Sequence, residues 1–236
     1  EKNLLLIEDC CESHGARYND NKVGTMSDMS CFSFYFGHHM TTIEGGMVST
    51  NDKNIYQLCR MFRSHGMTRE ASTDIQKKYN RPDLNPLFTF AVPGYNMRST
   101  EINAVLGLEQ IKRLDSVIER RRENLSIWLS MLDSEKYYTE YSSDGNSSFS
   151  LPLILKNKNM IKNICNILET NSVEYRVGTA GGGNQARQPY LEKFNHRISG
   201  ELKNANYIHE NGLYIGNHSE IDKEKIKLLC EKLNNV

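Results

Sequence analysis

Near its start the chain carries four consecutive apolar residues, Leu4-Leu5-Leu6-Ile7, that stop at two acids, Glu8-Asp9. A run that is apolar without alternation suits a parallel strand covered by helices on both faces, because a half-exposed strand would alternate. Open α/β sheets bind their ligands at the carboxyl ends of such strands. The acids at the end of this run are therefore either part of a site or the N-cap of a following helix, and the pattern alone leaves both open. The first residue is Glu1 rather than Met and the strand begins almost at once, so a piece of a longer chain is expected.

The patterning continues in the same style. Residues 29–35 and 47–50 read as strands on either side of a polar loop, Phe36-Gly37-His38-His39-Met40-Thr41-Thr42-Ile43-Glu44-Gly45-Gly46. After Asn51-Asp52, which can cap a helix, Ile55, Leu58, Cys59 and Phe62 share one helical face and are assigned to the core. Residues 75–93 hold Pro82, Pro86 and Pro93 among aromatics and are expected to form a long irregular loop. A single strong helix is expected from Ser99, with Glu101 in its first turn. It turns polar over residues 119–123 and apolar again at Trp128, Leu129 and Leu132, which marks an interdomain crossing. Beyond it, strands at 149–155, 173–177 and 213–216 are interspersed with helices at 160–168 and 221–233, a small α+β domain. Residues 178–188, with three consecutive glycines, are expected to be flexible. The expected division is into residues 1–120 and 121–236.

Charge excludes one class of partner. With 29 Lys+Arg against 29 Asp+Glu there is no net charge to offer a phosphate backbone or an anionic membrane, so nucleic-acid and membrane binding are not expected. A hydrophobic share of 38%, with 25% charged residues and 5 prolines, is that of a folded protein. No run reaches the roughly 18 apolar residues of a membrane span and no secretory signal is legible, which points to the cytoplasm. Six cysteines without a C-x-x-C pair read as free thiols, with neither a metal site nor an iron–sulfur cluster. The histidine pair His38-His39 lacks the H-E-x-x-H spacing of a zinc site, and no G-x-S-x-G elbow or G-x-G-x-x-G fingerprint is present.

Several longer motifs do carry a resemblance. Ile7-Glu8-Asp9-Cys10-Cys11-Glu12-Ser13-His14-Gly15-Ala16, Ser33-Phe34-Tyr35, the stretch from Thr41 to Met47, and Gly94-Tyr95-Asn96-Met97-Arg98-Ser99 resemble the DegT/DnrJ/EryC1/StrS sugar aminotransferases, pyridoxal-phosphate enzymes that act on nucleotide-linked ketosugars. The similarity extends to Gly183-Asn184, Gln188-Pro189 and Gly212-Leu213-Tyr214-Ile215-Gly216-Asn217. It implies an α/β architecture of the fold-type-I pyridoxal-phosphate transferase kind. The chain would hold the C-terminal part of the major domain, a mainly parallel sheet with helices, followed by the small α+β domain. Relative to the family a half-domain before Glu1 is missing, and with it the loop that supplies backbone N–H groups to the cofactor phosphate.

One departure from the family matters more than the matches. Five residues after Ser33, where these aminotransferases place the lysine that tethers the cofactor, stands His38. Histidine cannot form that imine, so a lysine-style transaminase resting state is excluded. The substitution resembles a branch that removes the 3-hydroxyl from GDP-4-keto-6-deoxymannose on the way to a 3,6-dideoxy sugar such as colitose.

The resemblance then implies a role for each residue. Asp9 would pair with the pyridine nitrogen of pyridoxamine phosphate, Ser33 would donate to the cofactor phosphate, Glu12 would face the ring hydroxyl, and Asn96 would reach the phosphate of a neighbouring subunit's cofactor. His38 would be the single acid/base, because an imidazole with an unperturbed pKa of about 6.5 has both protonation states within reach near neutrality. The sugar would leave as a 4-keto-3,6-dideoxy product with loss of ammonia, and L-glutamate would restore the amine. A homodimer with shared sites is implied. His39 is the alternative to His38, and His14 is read as structural. His65, Asn184 and Arg187 are candidates for contact with the nucleotide-sugar, each against the reading of a merely solvated residue. A transaminase that keeps the cofactor, and a truncated non-catalytic dimerisation module, stand as the competing functions.

Overall fold

The computed structural model describes residues 4–178 and 182–236. The chain divides into two compact units, residues 1–116 and 117–236, and each is described by itself.

The first unit is built on a three-stranded sheet. Strand β1 (Ile7–Asp9) is followed by a hairpin of β2 (Arg17–Tyr18) and β3 (Asn21–Lys22), then by β4 (Met29–Ser33) and β5 (Gly46–Ser49). The hairpin turn puts Asn19 and Asp20 both at positive φ, the conformation of a two-residue loop that matches strand twist. The sheet order is β1-β4-β5, with β1 parallel to β4 and β5 antiparallel to it. Register pairs Asp9 with Cys31, so the carboxyl ends of β1 and β4 lie on one edge. Glu8 does not cap a helix. Its carboxylate accepts from the N–H groups of Gly24 (2.8 Å) and Met26 (3.0 Å) and from the Ser27 hydroxyl (2.8 Å), which brackets the turn ahead of β4.

Helix α1 (Lys53–Arg63) begins where the sequence places it, because Asp52 accepts from the N–H groups of Asn54 (2.7 Å) and Ile55 (2.9 Å). Replacing Asp52 by alanine is expected to cost about 1 kcal/mol, read as a lowered urea midpoint with an unchanged slope. The apolar stripe behind that cap departs from expectation: Leu58 and Phe62 are exposed, and of α1 only Met61 is buried. The opening strand differs likewise. Leu4, Leu5 and Leu6 precede β1 and stand exposed, so the apolar run is not covered on both faces among the described residues.

Residues 75–93 are less irregular than their prolines suggest, because α2 (Thr73–Lys78) and a 3₁₀ turn at Pro86–Phe88 lie within or across them. The segment then crosses the turn after α1 at very short range. A Cβ on Gly66, which sits at φ +80°, would stand 1.7 Å from the Val92 carbonyl oxygen, and one on Gly94 would stand 2.1 Å from the Gly66 nitrogen. Only glycines allow two backbones to approach so closely.

The single long helix expected from Ser99 is two helices. Helix α3 (Glu101–Ile111) starts on a capping box of Thr100 and Asn103. It ends in a tight turn in which the Arg113 N–H donates to Gln110, and the Ser116 hydroxyl takes up the Arg113 carbonyl as α4 (Leu114–Met131) begins.

The second unit holds the main cluster of buried apolar side chains. Strand β6 (Ser150–Ile154), helix α5 (Ile161–Thr170), strand β7 (Tyr175–Val177), helix α6 (Lys203–Asn211), strand β8 (Gly212–Gly216) and helix α7 (Lys223–Asn234) follow α4. Its antiparallel sheet runs β6-β8-β7. Trp128, Leu151, Leu153, Ile164, Leu168 and Leu233 are fully buried. The two largest rings of this core have their polar atoms matched: Trp128 Nε1 donates to Pro152 O (2.8 Å) and the Tyr137 hydroxyl to Leu233 O (2.6 Å). Helix α6 has no counterpart in the sequence reading. Gly181, the first of the three glycines, lies outside the described residues. Residues 182–188 are not a merely solvated loop, because Asn184 is buried and tied to α6.

Candidate active site

The edge where β1 and β4 end collects most of the chemistry in the first unit. Asp9 closes β1, Ser33 closes β4, and the loop that leaves β4 carries His38. Asp9 Oδ1 accepts the Cys11 N–H at 3.1 Å. Its carboxyl is held below the usual range, first by a hydrogen bond from the Cys11 thiol, then by that backbone donor and by the field of His38. The Cys11 thiol is pushed up to about 12 by burial and by the same carboxylate, so it stays protonated and donates. Asp9 is thus an exposed, persistent anion at a strand tip.

His38 lies within reach of a second carboxylate. Its Nε2 is 3.7 Å from Glu12 Oε1, and its side chain is only 11% exposed against 40% for Glu12. The His38 N–H closes a turn onto the Tyr35 carbonyl (3.1 Å), and the rings of Tyr35 and His38 meet edge to face at 5.5 Å. The Tyr35 N–H donates to Ser33 Oγ (3.2 Å). Tyr35 therefore connects the hydroxyl to the imidazole, a role that its place in the sequence does not announce.

The neighbouring histidine is spent differently. His39 is buried against the ring of His14 at 5.6 Å, and His14 packs on Phe32 (5.4 Å) and Phe34 (6.0 Å). Of the pair, His38 is the one beside Glu12, and its field is the one that acts on Asp9.

The other candidates sit on other segments of the chain. His65 and Asn96 both lie at the glycine crossing: Ser64 forms a backbone bridge with Asn96, the His65 N–H donates to Tyr95 O (2.6 Å), and both residues are exposed. Asn96 Oδ1 accepts from Arg98 Nε at 3.3 Å. In the second unit, Asn184 and Arg187 are engaged by α6. Asn184 Nδ2 and Arg187 Nε both donate to Asn206 Oδ1 at 2.9 Å, Arg187 Nη2 pairs with Glu210 at 2.8 Å, and the Asn184 N–H donates to His209 Nδ1 at 3.1 Å.

The profile of the DegT/DnrJ/EryC1/StrS aminotransferase family matches residues 1–234. The chain belongs to that family. Among curated relatives it is 36% identical, over 97% of its own length and 59% of the other's, to a GDP-4-keto-6-deoxy-D-mannose 3-dehydratase of Yersinia pseudotuberculosis. Among solved structures it superposes with a TM-score of 0.86 on the Escherichia coli GDP-4-keto-6-deoxy-D-mannose-3-dehydratase with bound hydrated PLP, at 30% identity, covering 98% of this chain and 61% of that one. A GDP-4-keto-6-deoxymannose-3-dehydratase with a trapped PLP-glutamate geminal diamine gives 0.84, at 30% identity and the same coverage. The fold is the α/β fold of these pyridoxal-phosphate-binding proteins. The chain spans about three-fifths of the length of the relatives it matches.

Proposed function

We propose that the protein containing this chain is a cytoplasmic, homodimeric lyase. In this reading it removes the C3 hydroxyl from GDP-4-keto-6-deoxy-D-mannose with pyridoxamine phosphate as cofactor, yields a 3,6-dideoxy sugar such as colitose, and has its amine restored by L-glutamate. The observation that carries the reading is His38, a histidine at the place of the aminotransferase lysine, 3.7 Å from Glu12 and within the field of Asp9 at the strand tip.

The donor set fits the cofactor at both of its ends. A carboxylate that stays ionised suits a protonated pyridine nitrogen. Ser33, whose oxygen already accepts the Tyr35 N–H, keeps its proton for a phosphate oxygen. When bound, the cofactor supplies the amine that engages the 4-keto group and the electron sink that makes the adjoining C–H acidic. His38 takes that proton as a base and returns one to the departing C3 hydroxyl, which leaves as water. Glu12 faces the ring hydroxyl of the cofactor in this reading, and its carboxylate, 3.7 Å from Nε2, sets a negative charge beside the imidazole. Asn96 belongs to the partner's site in this reading. His65, Asn184 and Arg187 remain candidates for the nucleotide, with Arg187 already paired to Glu210.

The test is turnover of the whole protein, loaded with pyridoxamine phosphate, on GDP-4-keto-6-deoxymannose. A 3-deoxy product with one equivalent of ammonia is expected. A 4-amino sugar would point to a transaminase instead, and absence of any coenzyme binding would point to a non-catalytic module.

A further inference from the structure

The loop that carries His38 rests on one face of helix α3. Asn103, Gly107 and Gln110 fall four and three residues apart and so line a single side of that helix. Asn103 Nδ2 donates to the carbonyls of Thr42 (2.7 Å) and Glu44 (3.2 Å), across 61 and 59 residues of sequence. The Thr41 N–H donates to Gln110 Oε1 at 3.4 Å. Between them, a Cβ on Gly107 would already stand 3.2 Å from the Thr42 methyl, so glycine leaves room for the loop to settle on the helix.

The two carbonyls that Asn103 binds flank Ile43, whose φ is +73°. Branched side chains avoid that region, and such a residue persists only where its surroundings over-determine it. Three further contacts do so here. The Ile43 N–H donates to Thr41 Oγ1 (2.9 Å), the Thr42 hydroxyl donates to Glu44 O (2.8 Å), and the Thr41 hydroxyl donates to Phe34 O (3.3 Å). The loop is then closed against the end of β4, because the Thr42 N–H donates to Phe34 O and the Phe34 N–H to Gly45 O, each at 2.9 Å. His38 lies inside this closure.

We infer that Asn103, Gly107 and Gln110 form the seat of the His38 loop, and that Asn103 is a positioning residue that fixes His38 relative to Asp9 and Glu12. The inference rests on the reading of His38 as the acid/base. Asn103 serves two ends at once. Its Oδ1 accepts from the Thr100 N–H (3.1 Å) and hydroxyl (2.6 Å) at the start of α3, while its Nδ2 holds the loop.

Those two duties can be separated by substitution. Asn103→Asp keeps the oxygen that Thr100 uses and replaces the donor to Thr42 and Glu44 with a second acceptor. Asp52→Ala, which removes the cap of α1, controls for lost stability alone. In the whole protein, Asn103→Asp is expected to lower kcat at least about ten-fold with KM for the sugar nucleotide little changed, because small displacements of a catalytic group are costly. Asp52→Ala should leave kcat and KM as they are. Without coenzyme, the backbone amides of Phe34 and Thr42 should exchange with deuterium faster in Asn103→Asp and not in Asp52→Ala. Unchanged exchange would remove the seat, and faster exchange with unaltered kcat would remove its bearing on His38. If the unsubstituted protein does not dehydrate its substrate, the proposed function and the catalytic part of this inference fall together, whereas the exchange comparison still decides the seat.

Discussion

His38→Asn is expected to abolish dehydration while leaving the coenzyme in place. Removing a general acid/base that acts in the transition state costs about 10²–10⁴-fold in rate, and in the proposed reading one imidazole serves both the proton taken and the proton given. Asparagine approximates the size of the ring without its ability to exchange a proton, so the turn onto Tyr35 and the packing of His39 on His14 need not change. The measurement is single-turnover loss of the 4-keto-6-deoxy sugar, together with equilibrium binding of pyridoxamine phosphate. A variant that keeps most of its rate would exclude His38 as the acid/base, whatever the fate of binding. His38→Lys supplies the complementary result. It should produce an imine absorbance on addition of pyridoxal phosphate, because in the proposed reading an amine then stands where the family's aminotransferases hold the cofactor covalently. No new band would mean that the loop does not face the coenzyme.

Asp9→Asn should be nearly as damaging for a different reason. The amide can still accept the Cys11 N–H, so the turn after β1 survives, but the negative charge is gone. Losing the charge that the proposed reading sets opposite the pyridine nitrogen is expected to cost about 10²–10³-fold in turnover. The pH dependence carries an independent signature. Because the Cys11 thiol and N–H hold the Asp9 carboxyl below its ordinary value, its contribution to folding is present above the unfolded carboxyl pKa. That contribution is lost as the pH falls through the lower, folded value. In Asp9→Asn the acid-side decline in stability should therefore be shallower than in the unsubstituted protein, followed by urea unfolding from neutral pH down into the carboxylate range. An identical decline would show that Asp9 is not the held anion described here.

Much of the first unit was legible in order along the chain. Asp52 announced α1, and Glu8-Asp9 marked the end of the first strand even though that strand is shorter than its apolar run. The motif around Ser33 and His38 pointed to the loop whose imidazole stands 3.7 Å from Glu12 and acts on Asp9 through its field. The apolar stripe of Leu58 and Phe62 misled, because periodicity shows which face of a helix is apolar and says nothing of what is present to cover it. The helix expected from Ser99 misled for a related reason. Its apolar repeat runs through Lys112 and Arg113 with little interruption, while the break there depends on how the Arg113 N–H and carbonyl are satisfied.

Short-range rules thus set the pieces. Caps, turn residues and apolar spacing act over a few residues, and a substitution such as lysine to histidine changes the available chemistry wherever the chain goes. What the sequence could not show was which groups meet. The burial of His39 on His14 and the hold of Asn103 on Thr42 and Glu44 join residues far apart along the chain, which local preference treats as unrelated. Such contacts form only once sheet and helices have packed, because each buried donor then has to find an acceptor among whatever the fold has brought near.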